Sequence, residues 1–262
     1  MSRTVVVSGA GAGIGAAIAA TLAAEGWSIG VLDRDGDTAR EVAGALGERA
    51  VALVADAADE RSAEGALDAF AAATGRPAPD GLVANAGIVR FGPLLDLSVD
   101  DWRAVVDVNL TGTFLLARAA ARRMAAAGQA GAIVAVTSMN GVAAGPNAGA
   151  YGATKAAVAL LVRQMAIEWG PLGIRVNAVA PGLIDAGMSA PIYADDDVRR
   201  ARTERVPLGR LGTGADVADV VAFLLSDRAA YVTGTEVLVD GGVTGSIIAT
   251  LPRPAAVEGP ER

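Results

Sequence analysis

The chain has 262 residues, 52% of them hydrophobic and only 4% aromatic, with a formal net charge of −7 and neither cysteine nor histidine. That length suits one α/β domain with a sizeable core packed through small side chains, and the acidity argues against nucleic acid or anionic membrane as a partner. The missing residue types exclude disulfides, Cys- or His-ligated zinc and any nucleophile–base pair built on Cys or His, so acid/base chemistry falls to Asp, Glu, Tyr, Lys or Ser. Along the chain, short apolar runs alternate with longer Ala-rich periodic segments. Strands are predicted at 5–8, 28–33, 50–55, 81–85, 132–138, 175–180 and 236–239. Helices are predicted between them at 14–25, 38–46, 62–74, 102–124, 151–169 and 215–225. Alternation with near-continuous apolar strands means an α/β, doubly wound, seven-stranded parallel sheet with helices on both faces. One domain over 1–246 is expected. The polar connection 183–208 reads as a lid over a site, carried by a helix near 196–205, and 247–262, with Pro252, Pro254 and Pro260, as a C-terminal tail. The arginines within 199–205 are interleaved with Glu204 and follow Asp195, Asp196 and Asp197, the pattern of a solvated helix face. No apolar run reaches the length of a membrane span, and Val5-Val6-Val7 is too short for a signal-peptide core. A cytoplasmic protein is expected.

The first predicted strand runs into Ser8-Gly9-Ala10-Gly11-Ala12-Gly13-Ile14-Gly15, which opens the first helix. Glycines there let the backbone turn tightly and approach a pyrophosphate, whose charge the helix N-terminus meets. Asp33 ends the second strand, where a carboxylate accepts hydrogen bonds from the adenosine ribose and repels a 2′-phosphate. Together they predict a Rossmann-type dinucleotide site. Arg34 would suit a 2′-phosphate, but Asp33 precedes it and the glycine loop holds no basic residue, so NAD is favoured over NADP.

Lys155 is the only lysine in the chain, and it follows Tyr151 by four residues in a predicted helix. Residues at that spacing share a helix face, so ring and ammonium can point the same way. A cation beside a phenol lowers its pKa from about 10 toward working pH, which would make Tyr151 a general acid/base.

The Gly9, Gly13, Gly15 spacing resembles the short-chain dehydrogenase/reductase family, and further matches run in order from residue 5 to about 243. Asn85-Ala86-Gly87 follows the fourth strand, Asn109 lies in the fourth helix, and Ser138 precedes Tyr151 by thirteen residues. Pro181-Gly182 follows the sixth strand, and Pro207-Leu208-Gly209-Arg210 and Val239-Asp240-Gly241-Gly242 complete the pattern. The resemblance implies an NAD(H)-dependent oxidoreductase that interconverts a secondary alcohol and a ketone by direct hydride transfer, without a metal. It implies that Tyr151 moves the proton, Ser138 hydrogen-bonds the substrate oxygen, Lys155 holds the nicotinamide ribose, and Asn109 anchors a water between Lys155 and solvent. Asp56 with Ala57 would meet the adenine. Ile14, Ala86, Gly87, Pro181, Gly182 and Ile184 would line the cofactor, and Asn85 would either join them or brace the sheet edge.

The substrate would meet Ser138, Asn140, Tyr151, Leu183 and Met188, within a wall that also includes Met139, Val142, Ala144 and Pro146, with Asn147 and Arg90 as further polar candidates. The chain departs from the family at Ala186, where a Thr hydroxyl would bond the nicotinamide carboxamide, and at Gly214-Ala215, where Pro-Glu is usual. The resemblance also implies a homotetramer with two-fold axes, paired through the helices at 102–124 and 151–169, with Val158, Leu161, Val162 and Met165 spreading apolar surface over more than one face. Two other readings stay open: an NADPH-dependent ketoreductase acting on acyl thioesters, and a non-catalytic dinucleotide-sensing regulator or scaffold.

Overall fold

The protein is described by a computed structural model covering residues 2–246; the expected tail at 247–262 lies outside the described residues. Seven parallel strands form one sheet in the order β3-β2-β1-β4-β5-β6-β7. They are β1 (Thr4–Ser8), β2 (Ser28–Asp33), β3 (Ala50–Val54), β4 (Gly81–Ala84), β5 (Gly131–Val136), β6 (Ile174–Pro181) and β7 (Glu236–Val239). Every residue of β1 is buried, as a central strand covered on both faces requires. The chain runs β1 to β3 toward one edge, then returns to place β4 against the other side of β1, in register Val5 to Gly81. A crevice opens at the carboxyl ends of the strands where the order reverses, and ligands of doubly wound sheets bind there.

One face of the sheet carries α1 (Gly13–Ala24), α2 (Gly36–Leu46) and α9 (Gly214–Leu225), with Ile18, Leu22, Val217 and Val221 packed on Val5, Val7 and Val134. The other carries α3 (Glu60–Thr74), α4 (Val99–Val106), α5 (Gly112–Ala126) and α7 (Tyr151–Trp169), where Phe70, Leu116, Met124 and Val162 meet Leu82, Ile133 and Val176. Asp35 and Asp59 cap α2 and α3, and Thr213 with Asp216 forms a capping box on α9. The box caps α9 through Thr213 and Asp216, so the helix start is satisfied with Gly214-Ala215 between them.

Most predicted elements stand within a residue or two. The helix expected at 102–124 differs. It begins at Val99, ends at Ala126, and is interrupted by a π-turn at Asp107–Thr111. Such turns insert one extra residue into the helix and cluster at functional sites. The run Val99–Ala126 also has the length and apolarity of a membrane span, contrary to the expectation that none would. Half of its most apolar window is buried inside the fold, as for the core helix of a sheet-based domain. Short elements have no periodic signal and went unpredicted, among them α6 (Met139–Val142) and a 3₁₀ segment at Gly187–Ala194. α8 (Asp196–Thr203) follows where a lid helix was expected.

Gly30 in β2 sits where facing layers leave no room. A Cβ there would lie 2.8 Å from Leu53 Cδ1 and 3.0 Å from both Phe70 and Val6. We predict that Gly30→Ala lowers the unfolding free energy by roughly 1–3 kcal/mol through overpacking. Denaturant titration should show a lower midpoint at unchanged slope; an unmoved midpoint would contradict this packing.

Candidate active site

The crevice holds a cavity of about 740 Å³ lined from the glycine loop through β2 and β3 to Ser138, Tyr151, Lys155 and the connection after β6. At the glycine loop, Ser8 Oγ accepts the amides of Asn85 and Ala86 at 3.0 and 3.1 Å. Asn85 Nδ2 donates to the carbonyls of Ser8 and Gly9 at 2.9 and 3.1 Å. Asn85 is therefore a brace between β4 and the loop, with its amide already committed, although it borders the cavity. Gly13 has φ +58, and a Cβ there would lie 2.7 Å from Gly187 Cα, so only glycine lets loop and connection meet.

Helix α1 starts from Ala12 with no side-chain cap and no acid in its first turn, unlike α2 and α3. Its first N–H groups stay free for an anion, and Ala12, Gly13 and Ile14 all border the cavity. Asp33 stands at the end of β2. Its Oδ2 accepts the Gly11 amide at 3.0 Å and its Oδ1 the Asp35 amide at 3.1 Å. Gly11 itself does not border the cavity, contrary to expectation. A Cβ there would lie 2.3 Å from Thr38 Oγ1 and 2.9 Å from Asp33 Oδ2, so its part is to fix the carboxylate from behind. Arg34, exposed beside Asp33, also borders the cavity and has no ion pair or hydrogen bond among the described residues. Asp56 and Ala57 close this end beyond β3. Uncapped helix donors and a fixed carboxylate at this separation fit a dinucleotide: pyrophosphate on α1, adenosine ribose on Asp33.

At the other end, Ser138 follows β5 and caps α6, accepting the Asn140 amide at 3.1 Å. Tyr151 opens α7, partly buried, and borders the cavity together with Ser138. One turn on, Lys155 is 3% exposed. Its Nζ donates to the Val136 carbonyl at 2.7 Å and lies 5.6 Å from the Tyr151 ring centre, under the face of the ring. Burial decides both charge states. It lowers the Lys155 ammonium from 10.5 to about 8. It raises the Tyr151 phenol above 10, against a smaller opposing effect of the Ser138 hydrogen bond. The expectation that the ammonium depresses the phenol is thus corrected: burial pushes the phenol up, and the effect that opposes it comes from Ser138.

Asn109, fully buried, sits in the π-turn. Its Oδ1 accepts the Ile88 amide at 2.8 Å, and its Nδ2 donates to the Ile88 carbonyl at 2.9 Å and to Thr154 Oγ1 at 3.3 Å. Its own carbonyl accepts Thr113 Oγ1 at 2.8 Å. Both Nδ2 hydrogens are engaged, which leaves a water the second lone pair of Oδ1. Gly87 passes between; a Cβ there would lie 3.4 Å from both Asn109 Oδ1 and Lys155 Nζ.

Pro181, Gly182, Leu183 and Ile184 border the cavity after β6, with Ala186 and Met188 beyond. Leu183 O accepts the Gly212 amide at 2.9 Å, and Asp185 N donates to Gly212 O at 2.8 Å. The connection then turns onto Tyr193, which is 2% exposed. Arg199 pairs with Asp185 at 2.7 Å and donates to the Tyr193 carbonyl at 3.0 Å. The guanidinium groups of Arg199 and Arg202 lie 5.9 and 5.6 Å from the Tyr193 ring centre. The arginine run is therefore not a solvated face: two of its members cover an internal tyrosine, and Arg202 borders the cavity.

Of the expected substrate wall, Met139, Asn140, Pro146, Leu183 and Met188 border the cavity, whereas Val142, Ala144, Asn147 and Arg90 do not. Arg90 instead pairs with Asp101 at 3.3 Å. Sequence reasoning missed Ile88, Val89, Phe91, Ile192 and Tyr193, which no periodic pattern marks.

A parallel sheet with a glycine-loop dinucleotide site and a Ser–Tyr–Lys cluster at its carboxyl edge defines a nicotinamide-dependent α/β oxidoreductase. The chain belongs to the short-chain dehydrogenase/reductase family. A family model described as enoyl-(acyl carrier protein) reductase matches residues 9–244. Cis-4-hydroxycyclohexanecarboxylate dehydrogenase of Sinomonas cyclohexanicum is 44% identical over 92% of this chain and 96% of its own. L-Rhamnose 1-dehydrogenase (NAD(P)(+)) of Azotobacter vinelandii is 41% identical over 93% and 97%. The crystal structure of 3-ketoacyl-(acyl-carrier-protein) reductase from Brucella melitensis complexed with NADH superposes with a TM-score of 0.85 at 31% identity, over 92% of this chain and 98% of that one. These likenesses support an oxidoreductase acting on CH–OH groups with a nicotinamide dinucleotide.

The buried ammonium makes stability depend on pH. Below pH 8 the folded protein carries the full cost of burying that charge, and the cost fades as pH rises from about 8 toward 10.5. The unfolded chain binds more protons in that window, so stability rises there. We predict that, without cofactor, the protein gains roughly 2 kcal/mol over Lys155→Met between pH 8 and 10, at about 1.4 kcal/mol per unit. Parallel stability curves in denaturant titrations would contradict the assignment.

Proposed function

We propose that the protein is an NAD(H)-dependent oxidoreductase that interconverts a secondary alcohol and a ketone. The observation that carries this is the cluster of Ser138, Tyr151 and buried Lys155, the ammonium under the Tyr151 ring, at one end of a cavity whose other end has uncapped α1 and Asp33. Bound in that cavity, the dinucleotide supplies or accepts a hydride at its nicotinamide ring. The chain's own groups handle the rest. Ser138 holds the substrate oxygen, and Tyr151 gives its proton to the forming alcohol or takes one from the alcohol being oxidised. Lys155 holds the ribose and supplies positive charge under the Tyr151 ring, and Asn109 positions the Ile88 backbone beside both. NAD is preferred because the Asp33 carboxylate, fixed by two amides, faces the ribose subsite. Names of relatives spanning a hydroxycyclohexanecarboxylate and a sugar support the reaction class.

The segment 183–208 is proposed to close over nicotinamide and substrate as a lid. A homotetramer in the cytoplasm completes the reading. Leu160, 65% exposed, and Ile167, 77% exposed, form an apolar outer face on α7. Of the residues expected to spread apolar surface over more than one face of this helix, Val158, Val162 and Met165 turn into the core and Leu161 packs against it.

Arg34, free beside Asp33, supports NADP as a second reading. Turnover of an alcohol and ketone panel with NAD(H) and NADP(H) separates the two. We expect NAD(H) to give the higher kcat/KM, and Asp33→Ala to raise the KM for NAD by about 10- to 100-fold, the worth of a charged hydrogen bond. Tyr151→Phe should lose about 10²- to 10⁴-fold in kcat while still binding NAD. A native preference for NADPH, or near-normal kcat in Tyr151→Phe, would refute the corresponding part.

A further inference from the structure

The charged side chains that border the cavity divide by position. Asp33, Arg34 and Asp56 stand at the β2–β3 end, where the adenosine half is proposed to lie. Lys155 stands at the reacting centre. Only Arg202 reaches the cavity from the connection that leaves β6, on the half of the sheet that carries Ser138 and Tyr151.

Arg202 differs from its neighbours on α8. Arg199 is paired with Asp185, and Arg200 with Asp197. Arg202 is half-buried and has no carboxylate partner or hydrogen bond among the described residues. It faces only the ring of Tyr193, itself internal. Resting a guanidinium on an aromatic face keeps it in place without neutralising it or using its N–H donors. Two of the acids here are engaged elsewhere, Asp195 capping the helix through the amides of Asp197 and Val198 and Asp197 holding Arg200, and neither Asp196 nor Glu204 pairs with Arg202 among the described residues. Among the described residues, no Asp or Glu borders the cavity at this end. A substrate group entering there meets one oriented cation, no lining carboxylate, and mainly apolar walls such as Met139, Pro146 and Leu183, with Asn140 and Ser189 as uncharged polar groups.

We propose that Arg202 is a specificity-determining residue that binds an anionic substituent of the substrate, a carboxylate, so that the natural substrate is a hydroxy acid or the matching keto acid. This rests on the alcohol–ketone reading of the same site. A planar guanidinium matches a carboxylate through two parallel N–H···O bonds, which fixes orientation as well as adding affinity. Because Arg202 belongs to the connection over the cavity, an acid held by it would tie α8 to the substrate. A neutral alcohol would not.

Two measurements test this. The first is kcat/KM for 3-hydroxybutanoate, 4-hydroxypentanoate and 4-hydroxycyclohexanecarboxylate, each against its methyl ester, in the native enzyme, Arg202→Met and Arg202→Lys. We expect the native enzyme to favour at least one acid over its ester. Arg202→Met should cut that acid-to-ester ratio by about 10- to 100-fold, mainly through KM, as loss of one charge-assisted contact implies. Arg202→Lys should recover part of it. An ester used as well as its acid throughout, or a ratio unmoved in Arg202→Met, overturns the proposal and leaves the alcohol–ketone reading standing. So does a weakened NADH dissociation constant with an unmoved ratio, which would assign Arg202 to the cofactor phosphates. The second measurement needs no turnover: titration of the enzyme–NADH complex with cyclohexanecarboxylate and with cyclohexanecarboxamide, followed by NADH fluorescence. Tighter binding of the acid, lost in Arg202→Met, supports the anion site even if no alcohol is oxidised, an outcome that would sink the catalytic reading alone. Equal binding of acid and amide overturns the site. Failure to bind NADH overturns both.

Discussion

A single ammonium group, placed in a nearly dry pocket with one carbonyl to hold it, is the constraint on which the site is built. Lys155 Nζ has the Val136 oxygen at 2.7 Å and the Tyr151 ring above it. An arginine there would stay charged and would need a planar space for five donors; a lysine can shed part of its charge when buried. The fold accommodates it by close approach of backbones. A Cβ at Gly141 would lie 2.9 Å from the Lys155 carbonyl carbon and the Ala156 amide. α6 can therefore press onto the first turn of α7, and that contact brings Ser138 to the Tyr151 hydroxyl. The catalytic pair proposed here is set by packing between two helices, one of them a single turn long.

The rest of the site is organised around the same pocket. The π-turn puts Asn109 where its amide can satisfy both backbone groups of Ile88. It thereby holds the segment after β4, with Gly87, against Lys155. Asn85 does the equivalent work one step earlier, tying that strand end to the glycine loop. Both asparagines act on main-chain groups, so the walls of the cavity are fixed before any ligand enters. The side of the cavity formed by the segment 183–208 is held differently. It is anchored at its start by the backbone pairing of Leu183 and Asp185 with Gly212, and beyond that by side-chain contacts, the Asp185–Arg199 ion pair and the two guanidinium groups over Tyr193.

Much of this was legible in the sequence, and the reasons are physical. Parallel strands buried on both faces read as unbroken apolar runs, so all seven were found and their order follows from the family resemblance. Gly13, Asp33, Ser138, Tyr151 and Lys155 all border one cavity because their spacing fixes them to strand ends and to the first turns of helices. What sequence did not give was set by partners distant in the chain. Gly11 looked like a phosphate ligand, but Thr38 and Asp33 occupy its other side. The π-turn lies inside one continuous helical run, which a composition rich in helix formers reads as α-helix throughout. The direction of the Tyr151 shift depends on burial, which a motif does not report. Arg202 was hidden inside a charge cluster whose pattern is that of a solvated helix.

Because the chain has one lysine, the central claim can be read from one resonance. Protein labelled with ¹³C at the lysine ε carbon should give a single lysine signal, from Lys155, and its chemical shift should titrate with pH. Without cofactor, the midpoint is predicted at about 8, with the charge lost through burial. A midpoint near the ordinary lysine value of about 10.4 would mean that the ammonium is solvated, and would contradict the pocket described here.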